Sequence, residues 1–290
     1  LGAPVVDLNP PQAYDAVAYG IHGNDQVGMV RMFLDSLPQR ASLWHGSAET
    51  WIDLSSPGAY YSAAYGTGGG QQVGETQLVG RHASLWIGSA ESWIDLHPAG
   101  AVSSVAWGVD NGQQVGSVSY GSGLHAALWT GTAESVVDLH PPGPSSSTAL
   151  AVHEGEQVGY TVVAPVSRAA LWSGTAASYV DLHALLPPGF ASSQARGIWH
   201  GPGVTYIVGY GTTVAAPHAE ALMWVRTRAC YANCDGSTSA PVLNVLDFTC
   251  FLNRFAAGDP LANCDASTQP PVLNVIDFVC FLNVFAAGCP

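Results

Sequence analysis

Through the first 228 residues, apolar and polar positions alternate in short runs broken by Gly, Pro, Asn and Asp, and no stretch repeats apolar residues at helical spacing. This pattern predicts short β-strands. One phrase, Ala-Ser-Leu-Trp-Ile-Gly-Ser-Ala-Glu-Ser-Trp-Ile-Asp-Leu-His (83–97), returns with small changes from 41, 126 and 169. Its Trp falls at Trp44, Trp86, Trp129, Trp172 and Trp224, its Asp at Asp7, Asp53, Asp95, Asp138 and Asp181, and a Val-Gly step at Gly28, Gly74, Gly116, Gly159 and Gly209. A period of roughly 42 to 52 residues fits the blades of a propeller.

Each unit reads as four strands. Strand a is the run at Ser103 to Gly108, strand b carries Gln114 to Gly116, strand c is 83–86 and strand d is 92–96. Small residues align in strand a, as in Ala18/Gly20, Ala64/Gly66 and Ala106/Gly108, so strand a is expected innermost, at the crowded axis. A hairpin centred near Ser89-Ala90 sets Trp86 opposite Trp93, Ser84 opposite Asp95 and His82 opposite His97, which suggests an Asp95–Ser84 hydrogen bond. The first unit has a d-like strand, Val5 to Leu8, without strand c. The last has strand c, Ala221 to Trp224, without strand d. Joining the two predicts a five-bladed ring closed by its N- and C-terminal strands, with no open sheet edge at the seam. The recurring Asp residues read as structural, because a catalytic acid is usually unique.

After residue 228 the period changes. Two 30-residue copies follow, each a polar loop leading into an apolar helix. Phe248, Phe251, Leu252 and Phe255 fall on one helical face, as do Phe278, Phe281, Leu282 and Phe285, so the helices are expected to pack together. Oxygen-bearing side chains at loop positions one, three, five, nine and twelve are the means of wrapping a calcium ion. Asn233, Asp235, Ser237, Asn244 and Asp247 are the candidates in the first copy, and Asn263, Asp265, Ser267, Asn274 and Asp277 in the second. All six Cys lie here, which indicates an oxidising compartment. Equivalent positions predict Cys234–Cys250 and Cys264–Cys280, and Cys230 and Cys289 bracket the module as the third pair. The expected domains are therefore 1–228, an all-β propeller, and 229–290, a small α-helical, disulfide-rich calcium-loop module. The short junction 227–229 argues against a flexible tether.

Charge narrows the function. The chain carries 21 acidic and 8 basic residues, all Arg, for a net charge of −13. With no basic patch, nucleic acid is not an expected partner. No run of 18 apolar residues occurs, so no membrane span is expected. A start at Leu1 reads as a mature, exported chain. Gly-x-Ser-x-Gly, His-Glu-x-x-His and phosphate-loop motifs do not occur, and no enzymatic activity is expected.

Two resemblances add to this. His-Ala-Ser-Leu-Trp (82–86), Asp95-Leu96 and Gln113-Gln114-Val115-Gly116 resemble the HAF family of bacterial extracellular repeats, over about 1–226. That implies export and a propeller-like ring, but no reaction. This chain has His after Asp-Leu where the family tends to have Gly. The segment 230–290 resembles a dockerin of the type ending in Gly-Cys-Pro on planctomycete surface proteins, which implies two calcium ions and anchoring through a protein partner or neighbouring subunit. The chain departs from that pattern in opening each loop with Asn and in Ala266 where Gly is usual. The expected role is a cell-surface structural or adhesive protein assembled through its tail. A carbohydrate-binding propeller, with Tyr60 and Tyr61 as candidate stacking residues, is the alternative, and a glycoside-active enzyme the least favoured.

Overall fold

The computed structural model describes residues 5–33, 39–201, 204–215, 218–227, 231–237, 240–265, 267 and 270–288. The chain divides into two compact units, 1–199 with 207–224, and 200–206 with 225–290. The main boundary thus falls at 224/225, a few residues before the expected 228/229.

The propeller is built of five antiparallel sheets, four of them wholly within the first unit. Blade 1 holds β1 (Ala13–His22), β2 (Asp25–Met32), β3 (Arg40–Trp44) and β4 (Ile52–Asp53). Blade 2 holds β5 (Tyr61–Gly68), β6 (Gln71–Gln77), β7 (Arg81–Trp86) and β8 (Ile94–Asp95). Blade 3 holds β9 (Ser103–Asp110), β10 (Gln113–Ser119), β11 (Leu124–Trp129) and β12 (Val137–Asp138). Blade 4 holds β13 (Ser146–His153), β14 (Glu156–Val163), β15 (Val166–Trp172) and β16 (Val180–Asp181). Blade 5 has three strands, β17 (Phe190–Gly201), β18 (Val204–Thr213) and β19 (Ala219–Thr227).

Strands β1, β5, β9 and β13 contact one another in succession, so strand a is innermost. A Cβ on Gly66 would lie 2.8 Å from the Trp107 carbonyl of the next blade, which is why this strand carries small residues. Strand a also bulges. The ladder skips one residue between Ala18 and Gly20, Ala64 and Gly66, Ala106 and Gly108, and Ala149 and Ala151. The bulge pushes the preceding carbonyl over strand b, where only Gly fits. The Val-Gly step of the repeat is the partner of the bulge.

The expected hairpin register is observed, with Ser84 opposite Asp95 and Ser42 opposite Asp53. A one-turn 3-10 segment, Ala90–Ser92 in blade 2, joins strands c and d. Leu54 packs with Trp86, Leu96 with Trp129, Leu139 with Trp172 and Leu182 with Trp224, so each outer strand seals against the Trp of the following blade.

The expected pairing of Val5–Leu8 with Leu222–Trp224 is corrected. Residues 5–8 form no strand, and the fifth sheet keeps three strands. Strand d is only two residues long even where it forms, so its ladder contributes little. The side chains do the sealing instead: Leu8 packs with Trp44, as the outer-strand leucines do elsewhere, and Asp7 accepts the Asn9 N–H as Asp53 accepts that of Ser55.

In the second unit, α1 (Val245–Ala256) and α2 (Val275–Ala287) pack through Phe251 and Phe281, stacked with centroids 4.2 Å apart. Phe248, Phe255, Phe278 and Phe285 complete that face with Tyr231. Leu252 and Leu282 do not join it: each is 40% exposed, because the aromatic rings fill the interface. The bonds Cys234–Cys250 and Cys264–Cys280 form as expected, with Cα atoms 5.7 and 5.8 Å apart. Cys230 and Cys289 lie outside the described residues. No helix among the described residues is long and apolar enough to cross a membrane.

Candidate functional site

The repeated Asp and His residues form clasps within and between blades. His82 Nδ1 lies 2.8 Å from Asp95 Oδ2, while Asp95 Oδ1 accepts the His97 N–H. His97 Nδ1 is 2.8 Å from Ser104 Oγ, which also accepts the Ala83 N–H. Blade 3 repeats this with His125, Asp138, His140 and Ser147, and blade 4 uses Arg168, Asp181, His183 and Ser193. The expected Asp95–Ser84 bond is corrected, since Ser84 Oγ instead accepts from Trp93 Nε1 at 3.0 Å. The imidazoles of His82 and His97 stack at 3.9 Å. Burial, then His82, push His97 below the ordinary histidine value, with the Ala101 carbonyl and Asp95 opposing; burial and His125 do the same to His140. Through Ser104 and Ser147, His97 and His140 tie one blade to the next.

The bulge residues of strand a make a different arrangement. Tyr19, Tyr65 and Trp107 lie in a row along successive blades, with Tyr19 tilted against Tyr65 at 5.4 Å and Tyr65 stacked on Trp107 at 4.6 Å. In blade 2, Glu75 is buried beneath them, takes the Tyr65 O–H at 2.9 Å and pairs with Arg81. Burial, then Glu75, push the Tyr65 phenol well above its ordinary value. In blade 3 the positions of Glu75 and Arg81 are taken by Ser117 and Leu124. The space these side chains leave is part of a pocket of about 230 Å³ lined by Trp107, Ser117, Leu124, Thr148, Leu150, Tyr160, Gln194 and Arg196.

Among the described residues, three buried polar atoms of these side chains have no partner: Trp107 Nε1, Thr148 Oγ1 and Gln194 Oε1. Thr148 is 96% buried, from a residual exposure of 4%. Each such buried group costs about 1–3 kcal/mol when left unpaired. Arg196 stands at its edge, 5.4 Å over the Tyr210 ring. The residues around the pocket thus bring hydrogen-bonding groups of both senses, two aromatic rings and one cation. Sequence reasoning missed it. The available signal was Arg196, which departs from the aromatic column of Tyr19, Tyr65 and Trp107, whereas Ser117 and Leu124 stand in columns that vary between blades. Tyr60 and Tyr61 do not line it.

The expected calcium-loop residues gather in two equivalent clusters. Asn244 and Asn274 cap α1 and α2, accepting from the Leu246 and Ile276 N–H at 2.8 Å each. Asp247 and Asp277 are fully buried. Asp247 accepts from the Asn244 and Asp235 N–H, and Asp277 from those of Asn274, Cys264 and Asp265. Burial opposes their ionisation, but these N–H donors outweigh it and hold both carboxyls below the ordinary range. Asp235 and Asp265 turn back to the N–H groups of Ser237 and Ser267. In the first loop Asn233 Oδ1 is buried without a partner among the described residues; in the second, Asn263 Oδ1 already accepts the Ser267 N–H at 3.0 Å. The first loop fits calcium on this criterion better than the second.

No protein-family model matches the sequence, and no curated protein matches it either. Among solved structures, puromycin hydrolase is similar at 12% identity and a TM-score of 0.52, over 74% of this chain. Its S511A mutant in complex with PGG gives 11% identity and the same TM-score. TolB from Acinetobacter baumannii follows at 10% identity and 0.43, over 70% of this chain and 53% of that one. This chain spans 37% of the length of the puromycin hydrolase. At such identity the likeness is one of fold, a β-propeller. The expectation that the chain is no enzyme is withdrawn on this finding, because a protein of similar fold is a hydrolase.

Proposed function

We infer that the chain is an extracellular binding and adhesive protein, whose propeller holds a single sugar-like ring in the inner pocket and whose C-terminal module anchors it. The unpartnered trio of Trp107 Nε1, Thr148 Oγ1 and Gln194 Oε1 carries the first part. A polyhydroxylated ring both donates and accepts and has an apolar face for Trp107 or Tyr160, whereas an apolar ligand would leave all three unsatisfied. Arg196 at the edge favours a sugar acid.

Thr148→Val separates ligand binding from a structural role. It keeps the side-chain shape and removes only the unpartnered hydroxyl. The unliganded protein should be as stable as the parent or more so, while affinity for glucuronic acid, read by calorimetry, should fall about tenfold, the worth of one hydrogen bond near 1.4 kcal/mol. Affinity unchanged in Thr148→Val, or none of glucuronic acid, glucose or galactose binding the parent, overturns the reading.

Anchoring rests on the module. Disulfides support an oxidising, extracellular setting. Val245, Leu246, Val275 and Ile276 are exposed at equivalent places on α1 and α2 and supply apolar surface for a protein partner, in keeping with the dockerin resemblance. Calcium would be held by Asn233, Asp235, Ser237 and Asp247, and in the second copy by Asn263, Asp265, Ser267 and Asp277, with Asn244 and Asn274 serving as helix caps. It would neutralise carboxylates that now accept from backbone N–H groups. Calcium added to chelator-treated protein should raise the module's melting transition, by about 2.7 kcal/mol of stability at a hundredfold excess over Kd. A transition indifferent to both calcium and chelator removes calcium from the account.

A further inference from the structure

A second cavity, of about 250 Å³, lies on the outer part of blade 3, lined by Val118, Tyr120, His125, Ala126, Ala127, Val136 and Asp138. Comparing the blades shows why it is there. The first residue of the outer-strand phrase is Trp51 in blade 1, Trp93 in blade 2 and Tyr179 in blade 4, but Val136 in blade 3. Each of the three rings is hydrogen-bonded in place. Trp51 Nε1 donates to Ser42 Oγ at 2.9 Å and Trp93 Nε1 to Ser84 Oγ at 3.0 Å, while the Tyr179 hydroxyl lies 3.2 Å from Thr161 Oγ1.

In blade 3 the ring and both kinds of acceptor are missing together. Ala127 stands where blades 1 and 2 have Ser42 and Ser84, and Val118 stands where blade 4 has Thr161. Ala126, Ala127 and Val118 are buried, and with Val136 they make an apolar floor. The rim is polar. His125 Nδ1 lies 2.9 Å from Asp138 Oδ2, and the Tyr120 ring meets His125 edge-on at 6.1 Å.

We propose that this cavity is a binding site for a small aromatic molecule, whose ring takes the place that Trp51, Trp93 and Tyr179 fill in the sister blades. The floor has no hydrogen-bonding side chain, so the hydrocarbon edge of the ring enters first. A hydroxyl or ring N–H stays at the rim, where the Asp138 carboxylate accepts it and His125 and Tyr120 flank it. The scaffold is already shaped for such a ring, because the strand register that seats Trp93 in blade 2 recurs in blade 3 as Ala127 opposite Asp138. The site is separate from the inner pocket and does not depend on its ligand.

The test uses phenol and indole as probes and cyclohexanol as the non-planar control, by calorimetry and by amide shifts on the whole chain. Phenol and indole should bind saturably and shift the resonances of Val118, Ala126, Ala127 and Val136, and cyclohexanol should bind at least tenfold more weakly. Val136→Trp restores the ring of blades 1 and 2, and Ala127→Ser/Val136→Trp restores its acceptor as well. Both should lose phenol binding by tenfold or more, and the double variant should melt no lower than the parent. The double variant also covers the case in which Val136→Trp alone fails to fold. Shifts centred elsewhere, phenol affinity unchanged in the double variant, or cyclohexanol binding as tightly as phenol overturns the proposal. Glucuronic acid binding unchanged in the double variant confirms that the two sites are distinct.

Discussion

Gly116→Ala is expected to unfold the propeller or leave it insoluble. A Cβ at this position would lie 1.9 Å from the Val105 carbonyl oxygen and 2.9 Å from the Ala106 Cα. Both obstacles are backbone. They are held by the β9–β10 ladder on one side of the Trp107 bulge and by the next blade on the other. Overpacking a core costs about 1–3 kcal/mol when side chains can yield, and here nothing flexible is available to yield, so the cost lies at or beyond the top of that range. Gly112→Ala is the control. Gly112 has φ +76° and nothing within 4 Å of its Cβ position, so the change costs only left-handed strain, about 1–2 kcal/mol. Urea unfolding followed by Trp fluorescence reads both variants. A Gly116→Ala protein that unfolds within about 1 kcal/mol of the parent would show that the bulge can relax, and the link between the Val-Gly step and the bulge would fall with it.

Phe281→Ala should unfold the C-terminal module while leaving the propeller transition in place. The Phe281 ring is fully buried and stacks on Phe251 at an interplanar angle of 11°. Phe278 and Tyr231 close around the pair. Removing such a ring costs about 3–5 kcal/mol, which is comparable to the whole stability of a unit this small. The disulfides Cys234–Cys250 and Cys264–Cys280 limit how far the chain expands, so the expected state is collapsed and disordered. Leu282→Ala, one residue on and 40% exposed, should change the melting point little. Near-ultraviolet dichroism and calorimetry distinguish the two. Equal effects from Phe281→Ala and Leu282→Ala would contradict an aromatic interface.

Much of the fold was legible in the chain because it is repeated. One register error would have to recur in every blade, so the alignment of Trp44, Trp86, Trp129 and Trp172 settles strand order, hairpin pairing and the inner position of strand a. The disulfide pairs Cys234–Cys250 and Cys264–Cys280 followed from the same equivalence. The helical face was only partly legible. Periodicity groups Leu252 with Phe251, but two helices meeting through stacked rings bury the larger side chains and leave the leucine outside. The N-terminal strand was misread for a related reason: a two-residue ladder is too weak to be decided by pattern, whereas Leu8 against Trp44 buries apolar surface and holds.

The sites were the least legible part, and both pockets lie where the repeat is broken. Sequence by itself determined the element types, the number of blades and the columns of Gly, Asp, Leu and Trp, because those columns answer to backbone geometry and burial that the blades share. Tertiary structure alone decided what the exceptions do. Val136 and Ala127 are unremarkable separately and open a cavity only because strands c and d bring them onto one face. Trp107, Thr148 and Gln194 belong to three different inner strands, and whether their polar atoms find partners depends on the packing of blades 3, 4 and 5 against one another. Local sequence specifies what each strand can pair with; a void, or a hydrogen bond left unmade, is a property of distant strands in contact.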